Sequence, residues 1–317
     1  MEVFHSIAAA ASLRGCAVAI GNFDGVHVGH RRLFELARER AAAHGAKAVA
    51  LTFEPHPVRV LRPELAPPLL TPLPRKLELF ASCGLDAAVV QPFDRAYAGF
   101  DAEEFVARDL AGHLGAADVV VGHDFTAGRA RTRVDGLGRL LQARDIDLTV
   151  VDPVACDGLV ASSTKIRELL LEGHVDGAAQ LLGRLHDVEG PVERGAGRGR
   201  GFGFATANLK PEALLPANGV YVVTALLGGR RGPLGPEGAV PCGGVCNVGV
   251  KPTIQDDGAV ELEAHLFDHD GRDLYGEHMR ISFLQRLREE RRFPSLDALR
   301  AQIARDAARA REVLARR

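Results

Sequence analysis

Several things are missing from this chain, and each absence narrows the reading. No uninterrupted apolar run approaches the roughly 20 residues that a membrane-spanning helix needs. Neither charge dominates: the formal net charge is −2, which argues against a general nucleic-acid or membrane-surface binder. Cysteine is scarce, with five residues at 16, 83, 156, 242 and 246. Their odd number and scattered spacing do not form a disulfide framework. Cys242 and Cys246 make a C-x3-C with no second pair nearby, which argues against a zinc site. Buried or incidental thiols are the expectation. Internal repeats and long low-complexity segments are also absent. The opening MEVFHSIAAAASLRGCAVAIG is apolar, but it has no basic segment and its second half reads as a strand. A cytoplasmic protein is therefore expected.

What is present suggests two domains. At 317 residues the chain exceeds one typical domain, and 46% hydrophobic residues can furnish two cores. The first half alternates short apolar runs (CAVAIG, KAVALTF, DAAVVQPF, ADVVVG, DLTVVDPV) with amphipathic segments (HRRLFELARERAAAHG, LPRKLELFASCG, DAEEFVARDLAGHLG, VDGLGRLLQARD). Strands buried on both faces read as continuous apolar runs. The alternation predicts a doubly wound parallel α/β sheet of Rossmann-like type, with ligands at the carboxyl ends of its strands. After about Leu185 glycine and proline become frequent, and HDVEGPVERG, GVYVVTALL, AVPCGGVCNVGV, AVELEAHLFD and HMRISFLQRL follow. Period-two alternation without intervening helices predicts a small antiparallel β-barrel. A last helix starts at FPSLDALRAQIARDAARAREVL, capped by Ser295, with Leu299, Ile303, Ala307, Ala310 and Leu314 as its apolar face. The expected domains are 1–185 and 186–317, with a short linker near Gly183 to Asp187.

The first strand runs into GNFDGVHVGH, Gly21 to His30, and directly into a helix. Gly21 and Gly25 allow a tight turn close to a ligand. His27 and His30 are three apart at the helix start and so face one side. Helix-start amides and the helix dipole favour a nucleotide triphosphate there, and two imidazoles can neutralise charge in an in-line displacement at an α-phosphate. A plainer reading is two polar histidines at an exposed turn; the whole string between strand and helix favours the functional one. A second segment, VASSTKIRELLLEGHVDG, offers the same chemistry. Ser162 or Ser163 can cap a helix holding Thr164 and, one turn in, Arg167. Hydroxyls, amides and a guanidinium fork suit β- and γ-phosphates.

GNFDGVHVGH together with SSTKIR resembles the adenylyltransferase domain of the bacterial bifunctional riboflavin kinase/FAD synthetase family, which is similar to other HxGH nucleotidyltransferases. LTFEPHP (Leu51 to Pro57) and VVVGHDFTAG also match, the latter with Ala127 where the family has phenylalanine. The resemblance implies an ATP site at Gly21, Asn22, Phe23, Gly25, Ser163 and Thr164, with His27, His30 and Arg167 catalytic. It implies flavin contacts at Phe53, Pro55, His56, Pro57 and Asp124.

The second half contains GRGFGFATAN, Gly199 to Asn208, where the family reads G-x-x-L-G-x-P-T-A-N. The resemblance assigns Thr206 and Asn208 to Mg2+ and the ATP phosphates, a hydroxyl and an amide oxygen being suitable hard ligands. Gly201 and Gly203 would bring backbone amides to the nucleotide. A kinase also needs a base at the acceptor hydroxyl. In AVELEAHLFD, Glu261 and Glu263 share a strand face, so periodicity does not choose between them. The family's E-x-H chooses Glu263. Arg288 is assigned to a flavin-side loop, although an exposed ion-pair run explains it equally well. Ala205 replaces the family's proline and removes a backbone restraint but no ligand.

The resemblance covers nearly the whole chain and implies two ATP-dependent steps, riboflavin to FMN and FMN to FAD. ATP, riboflavin, FMN and FAD are then the partners, with Mg2+ as cofactor. No nucleic acid or membrane partner is expected, and transient homo-oligomers are allowed. Two rivals are a monofunctional enzyme, marked by Ala127 or Ala205, and a non-enzymatic flavin-binding protein.

Overall fold

A computed structural model of the protein describes residues 1–193, 206–228, 240–250, 260–267 and 274–316. The chain forms two compact units, Met1–Ser162 and Ser163–Arg317. Gly201, Gly203 and Ala205 lie outside the described residues, as does the side chain of Thr206.

The first unit contains β1 (Glu2–Phe4), β2 (Ala17–Ile20), α1 (Val28–His44), β3 (Ala48–Glu54), α2 (Pro57–Leu61), α3 (Leu73–Ser82), β4 (Ala87–Pro92) and α4 (Ala102–Glu104). It continues with β5 (Asp118–Gly122), the hairpin β6 (Thr126–Ala127) and β7 (Thr132–Arg133), α5 (Val134–Gln142), β8 (Asp147–Val151), and a second hairpin, β9 (Ala155–Cys156) and β10 (Leu159–Val160). Six strands form one parallel sheet in the order β1-β4-β3-β2-β5-β8. All five apolar runs are in it; the edge strand β1 is an addition. The expected third helix is α4 followed by a π-helical stretch, Phe105–His113.

Strand side chains alternate between two cores. One face carries Val18, Ile20, Val49, Leu51, Val89, Val119 and Val121 under Phe105, Leu110, Leu137 and Leu141. The other is mostly small, with Ala17, Ala19, Ala48, Ala50 and Ala88 under α1 and α3, and Phe23, Phe34 and Phe80 fill the space. From β2 the chain winds outward through β3 to β4, then crosses to β5 on the other side of β2. The topological switch point therefore lies at the carboxyl ends of β2 and β5, where doubly wound sheets bind ligands.

The second unit contains α6 (Ser163–Glu172), α7 (Val175–Leu182), β11 (His186–Glu193), β12 (Thr206–Leu209), β13 (Gly219–Leu227), β14 (Val240–Val250), β15 (Val260–Leu266), β16 (His278–Arg288) and α8 (Leu296–Ala315). The six strands close an antiparallel barrel in the order β11-β12-β15-β14-β13-β16. α6 and α7 belong to this unit: the Ala217 amide donates to the Leu170 carbonyl at 2.8 Å. A Cβ on Gly173, whose φ is +83°, would lie 2.9 Å from Arg286 Cδ. The expected linker shrinks accordingly. α7 ends at Leu182, and His186 and Asp187 are already buried in β11.

α8 is capped as expected, Ser295 Oγ accepting from the Ala298 amide at 3.2 Å. Its packed face differs from expectation. Ala310 and Leu314 meet Val222, Val245 and Phe267, but Gln302 and Asp306 are buried more deeply than Leu299 or Ile303. The reason is electrostatic. Asp306 accepts from Arg288 Nε at 3.0 Å and Nη2 at 2.8 Å, and Gln302 Nε2 donates to Asp306 at 2.7 Å.

Candidate active sites

In the first unit, β2 ends at Ile20 and the chain turns through GNFDGV before α1. Phe23, Gly25 and Val26 have φ of +50°, +91° and +42°. Left-handed backbone at two non-glycine residues is strained and persists only where surroundings impose it. Here they do. Asp24 accepts from the Leu70 amide at 3.0 Å and the Thr71 amide at 2.9 Å, and Thr71 Oγ1 accepts from the Gly25 amide at 3.0 Å. Lys76 Nζ donates to the Asn22 carbonyl at 2.9 Å. Asp24 and Lys76 are each 2% exposed.

His27 is the N-cap of α1, its Nδ1 accepting from the His30 amide at 3.4 Å. The two rings stack with centroids 3.6 Å apart and planes 21° apart. Gly29 makes room for this: a Cβ there would lie 3.1 Å from His27 Cε1 and Nδ1. The histidine pair thus sits over the amide end of a 17-residue helix at the switch point. Gly21 and Asn22 are half-buried between the end of β2 and this pair. Phe23 is buried: its ring is 1% exposed and packs on Phe34 and Phe80, so only its backbone can face a nucleotide. Gly21 has a matching explanation, since a Cβ there would be 2.9 Å from the Phe23 ring.

Phe53 is the penultimate residue of β3, and Glu54–Pro55 is a cis peptide. His56 caps α2, its Nδ1 accepting from the Val58 amide at 3.3 Å, and Pro57 takes the first helical position. Phe53 lies against Phe93 and Tyr97, with Phe100 beyond at 5.5 Å from Tyr97. Arg108 covers Phe100 at 3.8 Å, and Tyr97 Oη donates to Asp109 at 2.8 Å. In a chain with only 5% aromatics, this half-buried group beside the candidate flavin loop is a concentration of rings. Asp124 is exposed just past β5, at the other lip of the switch point. Ala127 is buried in the core.

In the second unit, α6 begins at Ser163, placing Ser162 at the cap position, with Thr164 in the first turn and Arg167 half-buried. On the barrel, strand register gives the two carboxylates different neighbours. Asn208 pairs with Glu263, Glu263 pairs with Asn247, and Thr206 pairs with His265. Directly paired residues share a face, so Asn208, Glu263 and Asn247 form one row across three strands. Glu261 pairs instead with Gly249, past the end of β12 at Leu209. Asn247 Nδ2 also donates to Glu290 at 3.5 Å. The opposite face is barrel interior, where Ala207, Ala264, Cys246 and Tyr221 are buried. Arg288 is committed elsewhere: besides its pair with Asp306, it donates to the Glu289 carbonyl at 2.9 Å.

All five cysteines are free. Burial pushes the Cys16 thiol up to about 12 and that of Cys246 higher still, Glu263 adding to the latter. Neither is suited to act as a nucleophile. Among the described residues no group of three or more His, Cys, Asp or Glu forms a metal centre.

Sequence reasoning missed Asp24, Thr71, Lys76, Asn247 and the rings of Phe93, Tyr97 and Phe100. Only Lys76 left a local signal: it falls on the same helical stripe of α3 as Leu79 and Phe80, an unexpected place for a lysine.

An imidazole pair at the switch point of a doubly wound sheet, joined in one chain to a barrel bearing a carboxylate between two carboxamides, defines a two-part nucleotide-using transferase. The sequence profile of the FAD synthetase family matches residues 9–165, and that of the riboflavin kinase family matches residues 182–314. The bifunctional riboflavin kinase/FMN adenylyltransferase of Escherichia coli (strain K12) is 37% identical over 303 residues, covering 94% of this chain and 92% of its own. That of Pseudomonas fluorescens is 38% identical over 304 residues, covering 95% and 94%. The chain belongs to this bifunctional riboflavin kinase/FMN adenylyltransferase family. A crystal structure described as a macrolide-efflux protein from Streptococcus pneumoniae superposes with a TM-score of 0.80, 29% identity and 92% coverage of both chains. Among the described residues no helix is long and apolar enough to cross a membrane.

Proposed function

We propose that this chain makes FMN and then FAD, each reaction run by its own half of the chain with ATP as co-substrate. The observation that carries this reading furthest is the stacked His27–His30 pair over the amide end of α1. In the N-terminal half, a phosphate oxygen of FMN attacks the α-phosphorus of ATP. The new P–O bond forms as the bond to the bridging oxygen breaks, and pyrophosphate leaves. His27, His30 and the α1 amides stabilise the charge that grows at the α-phosphate. Gly21, Asn22, Gly25 and the backbone of Phe23 shape the ATP loop, while Ser163, Thr164 and Arg167 hold the β- and γ-phosphates. Phe53, Pro55, His56, Pro57 and Asp124 contact the flavin, with Tyr97 and Phe93 extending its platform. Residues 1–185 serve this reaction and residues 186–317 the other.

In the kinase, Glu263 accepts the proton of the riboflavin 5′-hydroxyl as its oxygen attacks the γ-phosphorus and ADP leaves. Asn208 lies beside Glu263 and, with the Thr206 hydroxyl, offers the hard oxygen donors that Mg2+ prefers. Mg2+ bound there would neutralise phosphate charge. Gly201 and Gly203 would contribute loop amides. Arg288 acts as a structural tie rather than a flavin ligand. The enzyme works on small molecules in the cytoplasm.

The test is to incubate purified protein with riboflavin, ATP and Mg2+ and to separate the flavins by chromatography. Both FMN and FAD are expected. His30→Ala should stop FAD while sparing FMN, and Glu263→Ala should stop FMN from riboflavin while still converting supplied FMN. Loss of both products in either variant would sink the division of labour. FMN formation by the unaltered protein also tests whether Ala205 is tolerated; FMN only from Ala205→Pro would show that it is not.

A further inference from the structure

We propose that Lys76 is a positioning residue for adenylyl transfer: its buried ammonium holds the Asn22–Gly25 turn in the shape that receives ATP. The inference rests on the nucleotide reading of the first unit and extends it to a residue some fifty positions downstream of the motif.

Lys76 is the one lysine in the buried set among the described residues, and it sits on the apolar stripe of α3 with Leu79 and Phe80. Stability alone explains it poorly. Taking an ammonium out of water is costly, and an apolar side chain of similar volume would pack there at less expense. What the charge gains is control of a loop. Nζ donates to the Asn22 carbonyl at 2.9 Å, and Thr52 Oγ1 donates to the same oxygen at 3.3 Å. Asp24, two residues on, fastens the turn to Leu70 and Thr71, and Thr71 holds the Gly25 amide. Asn22 is thus tied to α3 itself, and Asp24 and Gly25 to the segment that leads into it. The tie fixes the left-handed backbone at Phe23 and Val26, immediately before the histidine pair.

Two carboxylates face this ammonium, Asp24 from the turn and Glu54 from the end of β3. Their attraction opposes the burial that lowers its pKa. Lys76 therefore stands between the candidate ATP loop and the candidate flavin loop. Its charge thus serves to order the loop that precedes the histidine pair.

The experiment uses the full chain and four proteins: unaltered, Lys76→Met, Thr71→Val and His30→Ala. Each is assayed for FMN to FAD with ATP and FMN varied separately, for riboflavin to FMN, and for thermal unfolding. Lys76→Met should lower kcat/KM for ATP by about ten- to a hundred-fold, the scale expected for a lost charge-assisted hydrogen bond. KM for FMN should stay within about twofold, and riboflavin phosphorylation should be unchanged. Thr71→Val should move the same parameter by about three- to tenfold. A folded Lys76→Met with unchanged ATP kinetics overturns the proposal, as does one that loses ATP, FMN and kinase parameters together. Should Lys76→Met fail to fold, unchanged ATP kinetics in Thr71→Val overturns it. If His30→Ala still makes FAD, the nucleotide reading falls and this proposal with it; an inactive His30→Ala beside a normal Lys76→Met overturns this proposal alone.

Discussion

The two units build their sites by opposite means. In the α/β unit, neighbours in sequence are neighbours in the site: His27, Gly29 and His30 share one turn at the start of α1, and a cap bond and a ring stack join the histidines. In the barrel, Asn208, Glu263 and Asn247 come from three strands, and only register aligns them. A helix terminus provides a fixed local field, so a short motif can specify the whole device. A strand provides one side chain per face every second residue, so a polar row must be assembled from pieces far apart in the chain.

The sharpest way to break this comparison is at the register. Glu263→Gln should slow FMN formation by about 10²- to 10⁴-fold, the usual contribution of a positioned base. Glu261→Gln, two residues away on the same face, should change it less than about twofold in the same flavin assay. Equal losses would mean that register does not select the base. The local device is tested by Gly29→Ala. Alanine improves a helix by roughly 0.5–1 kcal/mol, but its Cβ would crowd His27 at 3.1 Å. The expected result is an equal or higher Tm with FAD formation reduced about tenfold and FMN formation intact. Unchanged FAD kinetics would show that the stacked geometry is dispensable.

Smaller effects probe the frame. A double-mutant cycle of Arg288→Met and Asp306→Asn, read by urea unfolding, should give a coupling of about 1–3 kcal/mol. KM for riboflavin should move little in either variant; a large rise in Arg288→Met would restore that residue to the flavin site. The smallest effect concerns pH. Burial raises the pKa of Asp118, Asp147 adds to the rise, and His44 at 3.3 Å opposes it. A carboxyl whose folded pKa is raised binds its proton more tightly in the folded state. Its contribution is full below the ordinary carboxylate range and is lost as pH rises through the raised value. Asp118→Asn should flatten that part of the stability–pH curve measured by urea unfolding. An unchanged slope would remove Asp118 as its source.

Much of this was legible in the residues. Apolar runs alternating with amphipathic segments gave the order of elements in the first unit, and period-two segments gave the barrel strands. Contiguous motifs placed His27 and His30 without coordinates. What was not legible depends on pairing between distant segments. The Asp24–Leu70 and Lys76–Asn22 bonds link parts of the chain 46 and 54 residues apart, and no local period encodes them. Phe23 sits inside a motif read for its phosphate chemistry, and that reading gave no reason to bury its ring. Arg288 looked like one member of a charged surface run, because its partner Asp306 lies on a helix whose rotation was judged from apolar residues alone. The end of the first compact unit at Ser162 is likewise a matter of packing: α6 and α7 are ordinary amphipathic helices, and only their contacts assign them to the barrel's unit.

The alanines beneath α1 act as spacers. Methyl groups at positions 17, 19, 48, 50 and 88 let the helix bearing both imidazoles settle close to the sheet, with three phenylalanines wedged around it. The height of the histidine pair above the strand ends is therefore set by the thickness of a fully buried layer. Enlarging one alanine, as in Ala19→Val, would act as a shim, lifting the helix start and the stacked imidazoles with it from within the sheet.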